Sequence, residues 1–388
     1  MQTVALPALV FDLTHRATWI GYASMASLMP AVLLTPYAGV LCDRVSRRKI
    51  LIITQVVQMT SALVLWSGFR SGSLTPQRIL ALSLVNGIAS GFQTAAWQSF
   101  VPLLVPREDM IGAVKVNSMQ YNLARALGPG FAGIVIRTWG TGAAFLINAV
   151  TYPLVIAVLV VANPRANAVA AKAMSVKAAL ASGGRYVWRH RALRLAVILA
   201  TLNSLCGQAL QHTSAAIAAR IFGRPSTDNA GLLMALGFGS ILSTLLSGVW
   251  GRHLRRSRQV AAGLSCYLAC AVAITATSSY TVGLIAYFVG GFGHLLIAVA
   301  LNTMIQGYVP DDMRGRAVSY YILGVLVGIP VGTFLLGRAA DAFGMRWAVA
   351  GDAAVMAVVL GVVLVRGSMS VFDRIEMPKA GEAAAAAG

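Results

Sequence analysis

Apolar residues run along this chain in blocks of about twenty, separated by short clusters of Gly, Pro, Asn and charge. A block of that length is what an α-helix needs to cross the ~30 Å hydrocarbon core of a bilayer. The intervening clusters are the residue types that break helices. The pattern predicts spans at roughly 18–41, 50–69, 78–104, 111–136, 140–162, 193–218, 228–250, 259–278, 281–306, 317–337 and 346–365. Met1 to Phe11 is apolar as well, but has about half the length a span requires. It lacks the charged leader and cleavage site of a signal peptide, and Asp12, His15 and Arg16 close it as a loop. The expectation is a chain that starts inside its first helix, truncated, for twelve spans in all and an all-α membrane protein.

The polar turns repeat. Gly39-Val-Leu-Cys-Asp-Arg-Val-Ser-Arg-Arg-Lys49 lies between spans 2 and 3, and Gly248-Val-Trp-Gly-Arg-His-Leu-Arg-Arg-Ser-Arg258 lies between spans 8 and 9. Val105-Pro106-Arg107-Glu108-Asp109-Met110 is echoed by Val309-Pro310-Asp311-Asp312-Met313, and Trp139-Gly140 with Asn148 by Phe343-Gly344 with Asp352. The chain is therefore one six-span unit written twice. The first basic turn resembles the G-x-L-x-D-R-x-x-R-R-K loop of the major facilitator superfamily, with Cys42 in place of a small Ala or Ser and Ser46 in place of a common Gly. In span 5, Asn122, Arg125, Gly128 and Pro129 form N-x-x-R-x-x-G-P, which resembles the enterobactin-exporter-like, drug-efflux branch of that superfamily. The resemblance implies the major facilitator fold: two six-helix bundles related by a pseudo-twofold axis along the membrane normal. The expected division is 1–162 for the first bundle, 163–192 for a basic connector, 193–366 for the second bundle, and 367–388 for a disordered tail.

Composition removes other classes. Hydrophobic residues make up 57% of the 388 and charged residues 11%, with a net charge of +19. A soluble domain is about 25% charged. The bases do not form one solvated face, so nucleic acid is not expected as a partner. They gather in the loops after spans 2, 4, 6, 8 and 10 and in the tail, which by the positive-inside rule puts both termini in the cytoplasm of a cell whose inner (plasma) membrane holds the chain. The connector's later part, Val176 to Trp188, can form an amphipathic helix in the anionic interface, a tether between the halves or a lipid-sensing element. Cys42, Cys206, Cys266 and Cys270 have no metal-ligand spacing, and no metal or other cofactor is expected. The five histidines are scattered, without H-E-x-x-H or a G-x-S-x-G elbow, so an enzyme is not expected. No G-x-x-x-x-G-K-[ST] loop is present to hold ATP.

Polar side chains inside a bilayer are costly, so their placement carries the chemistry. Asn86, Ser90, Gln93, Thr94 and Gln98 share a face of span 4. Ser204, Gln208 and His212, flanked by Asn203 and Gln211, do so in span 7, and Gly290, His294, Asn302 and Gln306 form a drifting stripe on span 10. These stripes either line a central cavity or bond one helix to another. Arg125 is the one base deep in a span. It faces an anionic substrate group, serves as a coupling charge, or bonds to carbonyls. Gly128, Pro129 and Gly133 are expected to let a neighbouring helix approach closely. Asp352 is expected to make a structural hydrogen bond, and Asp12 to be a cap. The resemblance further implies a gate in which Asp43, with Arg44, Arg47 and Arg48 after the turn at Gly39, closes the cytoplasmic side against the start of span 11. It also implies a monomeric secondary exporter of a small organic molecule, drug or siderophore-like, proton-coupled and working by alternating access; a porter of the same superfamily running in the uptake direction is the alternative. One departure stands out: Ser83 occupies the position where many proton-coupled exporters carry an arginine.

Overall fold

The computed structural model describes residues 1–106, 108–161, 176–250, 254–365 and 370–373. The connector at 163–175, Arg107, Gly251 to His253 and most of the tail lie outside the described residues. All regular elements described are helical. The first half comprises α1 (Gln2–Thr14), α2 (Ala17–Arg44), α3 (Arg47–Arg70), α4 (Pro76–Phe100) and α5 (Met110–Val161). After the connector helix α6 (Val176–Arg189), the second half opens with α7 (Arg191–Leu202), a π-helical stretch at Asn203–Gln208, α8 (Ala209–His212) and α9 (Ser214–Arg220). It continues with α10 (Asn229–Trp250), α11 (Arg256–Ala276), α12 (Tyr280–Tyr308), α13 (Asp311–Phe343) and α14 (Met345–Val365), and the short α15 (Ser370–Asp373) follows. Among the described residues, ten helical segments are long and apolar enough to cross a membrane; α1, with 13 residues, is shorter.

Local sequence sets the helix ends. Thr75 caps α4 by accepting from the Arg78 amide at 3.3 Å, and Pro76 occupies the first turn, where its missing N–H costs nothing. At the end of α1, His15 turns left-handed (φ 51°) and its amide reaches back to the Phe11 carbonyl. Predicted spans 5 and 6 are the two arms of α5, broken where Gly140 takes φ 81°, ψ 169°. Its repeat mate Gly344 takes φ 90°, ψ 151° between α13 and α14. Only glycine adopts that region freely, so the same turn is built with the same residue in both halves. Span 11 ends at 343 rather than the expected 337, because the helix carries Arg338 and Asp341 through its last turns.

The packing repeats as the sequence does. α2 packs on α4 as α10 does on α12, and α3 on α4 as α11 does on α12; α3 packs on the second arm of α5 as α11 does on α14. α1 lies on α5 as the α7 region lies on α13. Two seams join the halves, α2 with α13 and α5 with α10.

The seams are closed at the end of the molecule that carries Gly344. A Cβ at Gly21 would fall 2.5 Å from the Phe334 Cα, and one at Gly133 would fall 2.6 Å from the Ala230 Cβ. Toward the opposite end, which carries Ser46, the α5–α10 seam parts. The α5 row that begins at Gly133 and Gly130 continues in helical steps through Leu123, Met119 and Val116, which are 48%, 70% and 68% exposed. On α10 the facing row runs from Ala230 and Met234 to Phe238 and Leu245, and both of the latter are exposed. Along α5 and α10 the halves thus meet at one end and leave a cleft at the other.

Candidate functional site

At the closed end, one carboxylate ties the halves together. Asp341, in the last turn of α13, accepts the backbone N–H groups of Ala17 and Thr18 at 2.9 Å each and the Thr18 hydroxyl at 2.6 Å. These are orphan donors at the N-terminus of α2, where the helix dipole favours negative charge. Arg220 of α9 completes the cluster with an ion pair to Asp341 at 2.9 Å. It also donates to the His15 carbonyl at 2.7 Å and the Ala340 carbonyl at 3.1 Å, and its guanidinium sits over the Phe11 ring at 5.4 Å. Nearby, the Ser226 hydroxyl donates to Asp12 at 2.8 Å, and the Asn229 amide to the Val4 carbonyl at 3.2 Å. Asp12 therefore serves a residue of the other half rather than its own helix. Apart from the Arg220 contacts with Asp341 and Ala340, which lie within the second half, these contacts join α1, His15 or the start of α2 to the second half.

A buried polar cluster lies inside the second half. The π-helical stretch widens the helix by one residue per turn, a distortion that is common at functional positions. Within it, Gln208 donates to Ser204 at 2.9 Å, and Asn203 Nδ2 lies 3.3 Å from His294 Nδ1 on α12. Gln211 donates to the Tyr267 hydroxyl of α11 at 3.3 Å, and the Tyr267 ring stands edge-on to His294 at 6.2 Å. Gln211 of span 7 and His294 of span 10, singled out in the sequence, are thus gathered with Asn203 and Tyr267, while Gln208 bonds within its own helix. His212 is half-buried one residue beyond Gln211. Asn302 stands apart toward the Ser46 end and accepts from Gln306 at 3.1 Å.

In the first half, Gln58 of α3 donates to Gln93 at 2.8 Å and to Ser90 at 3.2 Å. Those two members of the α4 stripe therefore bond a helix of their own half. Asn86 differs, since its buried Nδ2 has no hydrogen-bond partner among the described residues, a state that buried polar groups seldom tolerate without water or ligand. Asn122 and Arg125 fall on the first arm of α5; their side chains, like those of Asp43 and Arg44 at the end of α2, lie outside the described set. Gly39 is in the last turns of α2. Arg47 is half-buried at the start of α3. Arg48 donates to the Val160 carbonyl and so ties α3 to the end of α5. Of the expected packing residues, Gly133 meets α10, whereas a Cβ at Gly128 would meet no described atom within 4 Å. Pro129 lies inside α5 beside Gly130, which faces Met234.

Sequence reasoning does not single out Asp341, Thr18, Arg220, Gln58 or Tyr267. A signal for Asp341 does exist: an acid in the last turn of a helix opposes its own dipole, so it belongs to a partner elsewhere.

Comparison with known proteins agrees with this geometry. The profile of the transmembrane secretion effector family, a branch of the major facilitator superfamily, matches residues 1–382. The multidrug efflux pump Tap of Mycolicibacterium fortuitum is 26% identical over 359 residues, covering 88% of this chain and 86% of the relative. Macrolide efflux protein A of Streptococcus pyogenes is 20% identical, covering 87% and 85%. The staphyloferrin A transporter of Staphylococcus aureus is 25% identical over 150 residues, 38% of each chain. Among solved structures, a point mutant of the nucleoside transporter NupG superposes with a TM-score of 0.77 at 12% identity, over 96% of this chain and 95% of that one. A bacterial homologue of the lysosomal transporter Spinster, inward-facing and occupied, gives 0.67 at 15% identity, over 96% and 91%. With two repeated halves, ten apolar helical segments among the described residues and a family match over nearly its whole length, the chain is a multi-pass membrane protein that belongs to the transmembrane secretion effector family of the major facilitator superfamily.

Proposed function

We propose that the protein is a secondary active exporter of a small organic molecule of drug or siderophore type, working by rocking of its two halves. The observation that carries this reading is the junction of the halves, held at the Gly344 end, where Asp341 ties α13 to α2, and open between α5 and α10 at the Ser46 end. A cleft open to one side, between halves repeated in sequence, is the geometry alternating access requires. By the positive-inside rule the basic turns at the Ser46 end favour an opening toward the cytoplasm of a cell whose inner membrane holds the chain, with both termini on that side. The functional units are then residues 1–162 and 193–366, joined by the connector. Substrate would enter from the cytoplasm and meet Asn86, Arg125, Gln208, Gln211 and His294 near the midplane. The efflux activities of the Tap and macrolide relatives support export.

Closing the cleft requires a second latch. α2 and α13 run antiparallel, and each carries an acid near its last turn: Asp341 on α13 and Asp43 on α2. Asp341 holds the N-terminus of α2 in this state; Asp43 would hold the N-terminus of α13 in the other. The test is uptake into everted vesicles against right-side-out vesicles, with an imposed pH gradient. Accumulation in everted vesicles that collapses with a protonophore is expected. Accumulation only in right-side-out vesicles would replace export with import, and indifference to the protonophore would remove the proton.

A further inference from the structure

Asp352 is not accounted for by either seam. It lies seven residues into α14, roughly 10 Å along the helix at 1.5 Å per residue, and its side chain borders a cavity of about 860 Å³ between the α7 region, α13 and α14. The rest of the wall is apolar and includes Leu205, Leu335, Leu336 and Val355. Phe343 and Trp347 in its wall are 74% and 75% exposed, and Leu335 and Val355 are 51% and 46% exposed. On helices of this apolarity that side faces lipid, and an exposed tryptophan near a helix end marks the interface.

The repeat sharpens the contrast. Asn148, the mate of Asp352, is a neutral amide; it lies within hydrogen-bonding distance of Gln2 of α1 at 3.4 Å and the Tyr152 hydroxyl at 3.5 Å. Asp352 faces the equivalent helix of the second half but has there only the weak thiol donor of Cys206. Among the described residues it makes no ion pair. A carboxylate with one weak donor on an apolar wall lacks the compensation that charge in a membrane requires. The space beside it is large enough for an alkyl chain and open to the bilayer.

We propose that this cavity is a lateral binding site for an amphiphile carrying an ammonium group, which pairs with Asp352 while its chain lies along Leu335 and Val355. The ammonium comes either from a single-chain amine or from the headgroup of an aminophospholipid. The site is separate from the cleft between the halves, and its occupancy is measured without transport.

The full chain in phosphatidylcholine nanodiscs is titrated with 12-bromododecylammonium, and quenching at Trp347 is read as the difference between the protein and its Trp347→Phe variant, since six other tryptophans contribute background. Saturable quenching is expected with the amine and only linear, partition-like quenching with 12-bromododecanol. Asp352→Asn should raise the half-saturation at least tenfold, and Asp352→Glu should restore it to within about threefold. Leu335→Trp, which fills the cavity and leaves the acid, should abolish saturation. Phosphatidylethanolamine in the disc that raises the half-saturation identifies a lipid as the occupant; no effect leaves single-chain amines. Equal quenching by amine and alcohol, or an unchanged curve in Asp352→Asn with normal melting, would overturn the proposal.

Discussion

The value of a side chain here depends on whether it joins helices of one half or of two. Gln58, Gln93 and Ser90 bond two helices that move together. Gln58→Leu should cost about 0.6 kcal/mol, the mean for interhelical hydrogen bonds in a membrane, which a shift in thermal midpoint would register while transport stays near normal. Asn86 lacks a partner for its Nδ2 among the described residues, so Asn86→Leu should leave the midpoint unchanged and weaken substrate affinity several-fold. An unchanged affinity would remove Asn86 from the site. Asp341 bridges the halves through charge-assisted bonds, each contributing about 1.5–3 kcal/mol. Asp341→Asn should therefore release the Gly344 end: a cysteine at Thr18 or Arg220 should react with a membrane-impermeant maleimide at least tenfold faster than in a background that retains the aspartate. The acids at 43 and 341 are equally visible as letters. Only the first sits in a familiar motif, and the second becomes meaningful once α13 is seen to end beside the start of α2.

At the scale of elements, the repeat is legible because a turn that needs a positive φ admits few residues. Gly140 and Gly344 occupy matched positions with matched angles, and Gly140→Ala and Gly344→Ala should each destabilise by about 1–3 kcal/mol. Similar losses of thermal midpoint in the two variants are expected, and a loss in only one would mean that the turns are not equivalent. The span boundaries are less legible. The expected end of span 11 falls short because Arg338 and Asp341 look like loop residues, yet both belong to the helix. The π-helical stretch at Asn203–Gln208 has no sequence signature; it lies where this region packs on α12, α13 and α14.

For the molecule as a whole, function rests on the seams opening in alternation. With the four native cysteines replaced by serine, Gly133→Cys with Ala230→Cys places two Cβ atoms that need part by only about 1 Å to reach the usual disulfide separation of about 3.8 Å. Oxidation should cross-link this pair rapidly and stop transport, and a reductant should restore it. A cross-linked protein that still transports would show that the seam never opens. The reverse experiment, with cysteines at Met119 and Leu245 in the open part of the same seam, should give little cross-linking until substrate or an outward gradient closes the cleft.

The sequence alone determined that the chain crosses a membrane, that it does so as two copies of one unit, and which turns carry its positive charge. These follow from local rules: run length against bilayer thickness, glycine where φ is positive, and basic residues at helix ends. Tertiary structure decided which end is closed, that Asp341 rather than a loop residue closes it, and which polar side chains bond within one half. Hydrogen bonds between residues 323 or 324 positions apart depend on how the helices are arranged in space, and no local pattern in the chain encodes that arrangement.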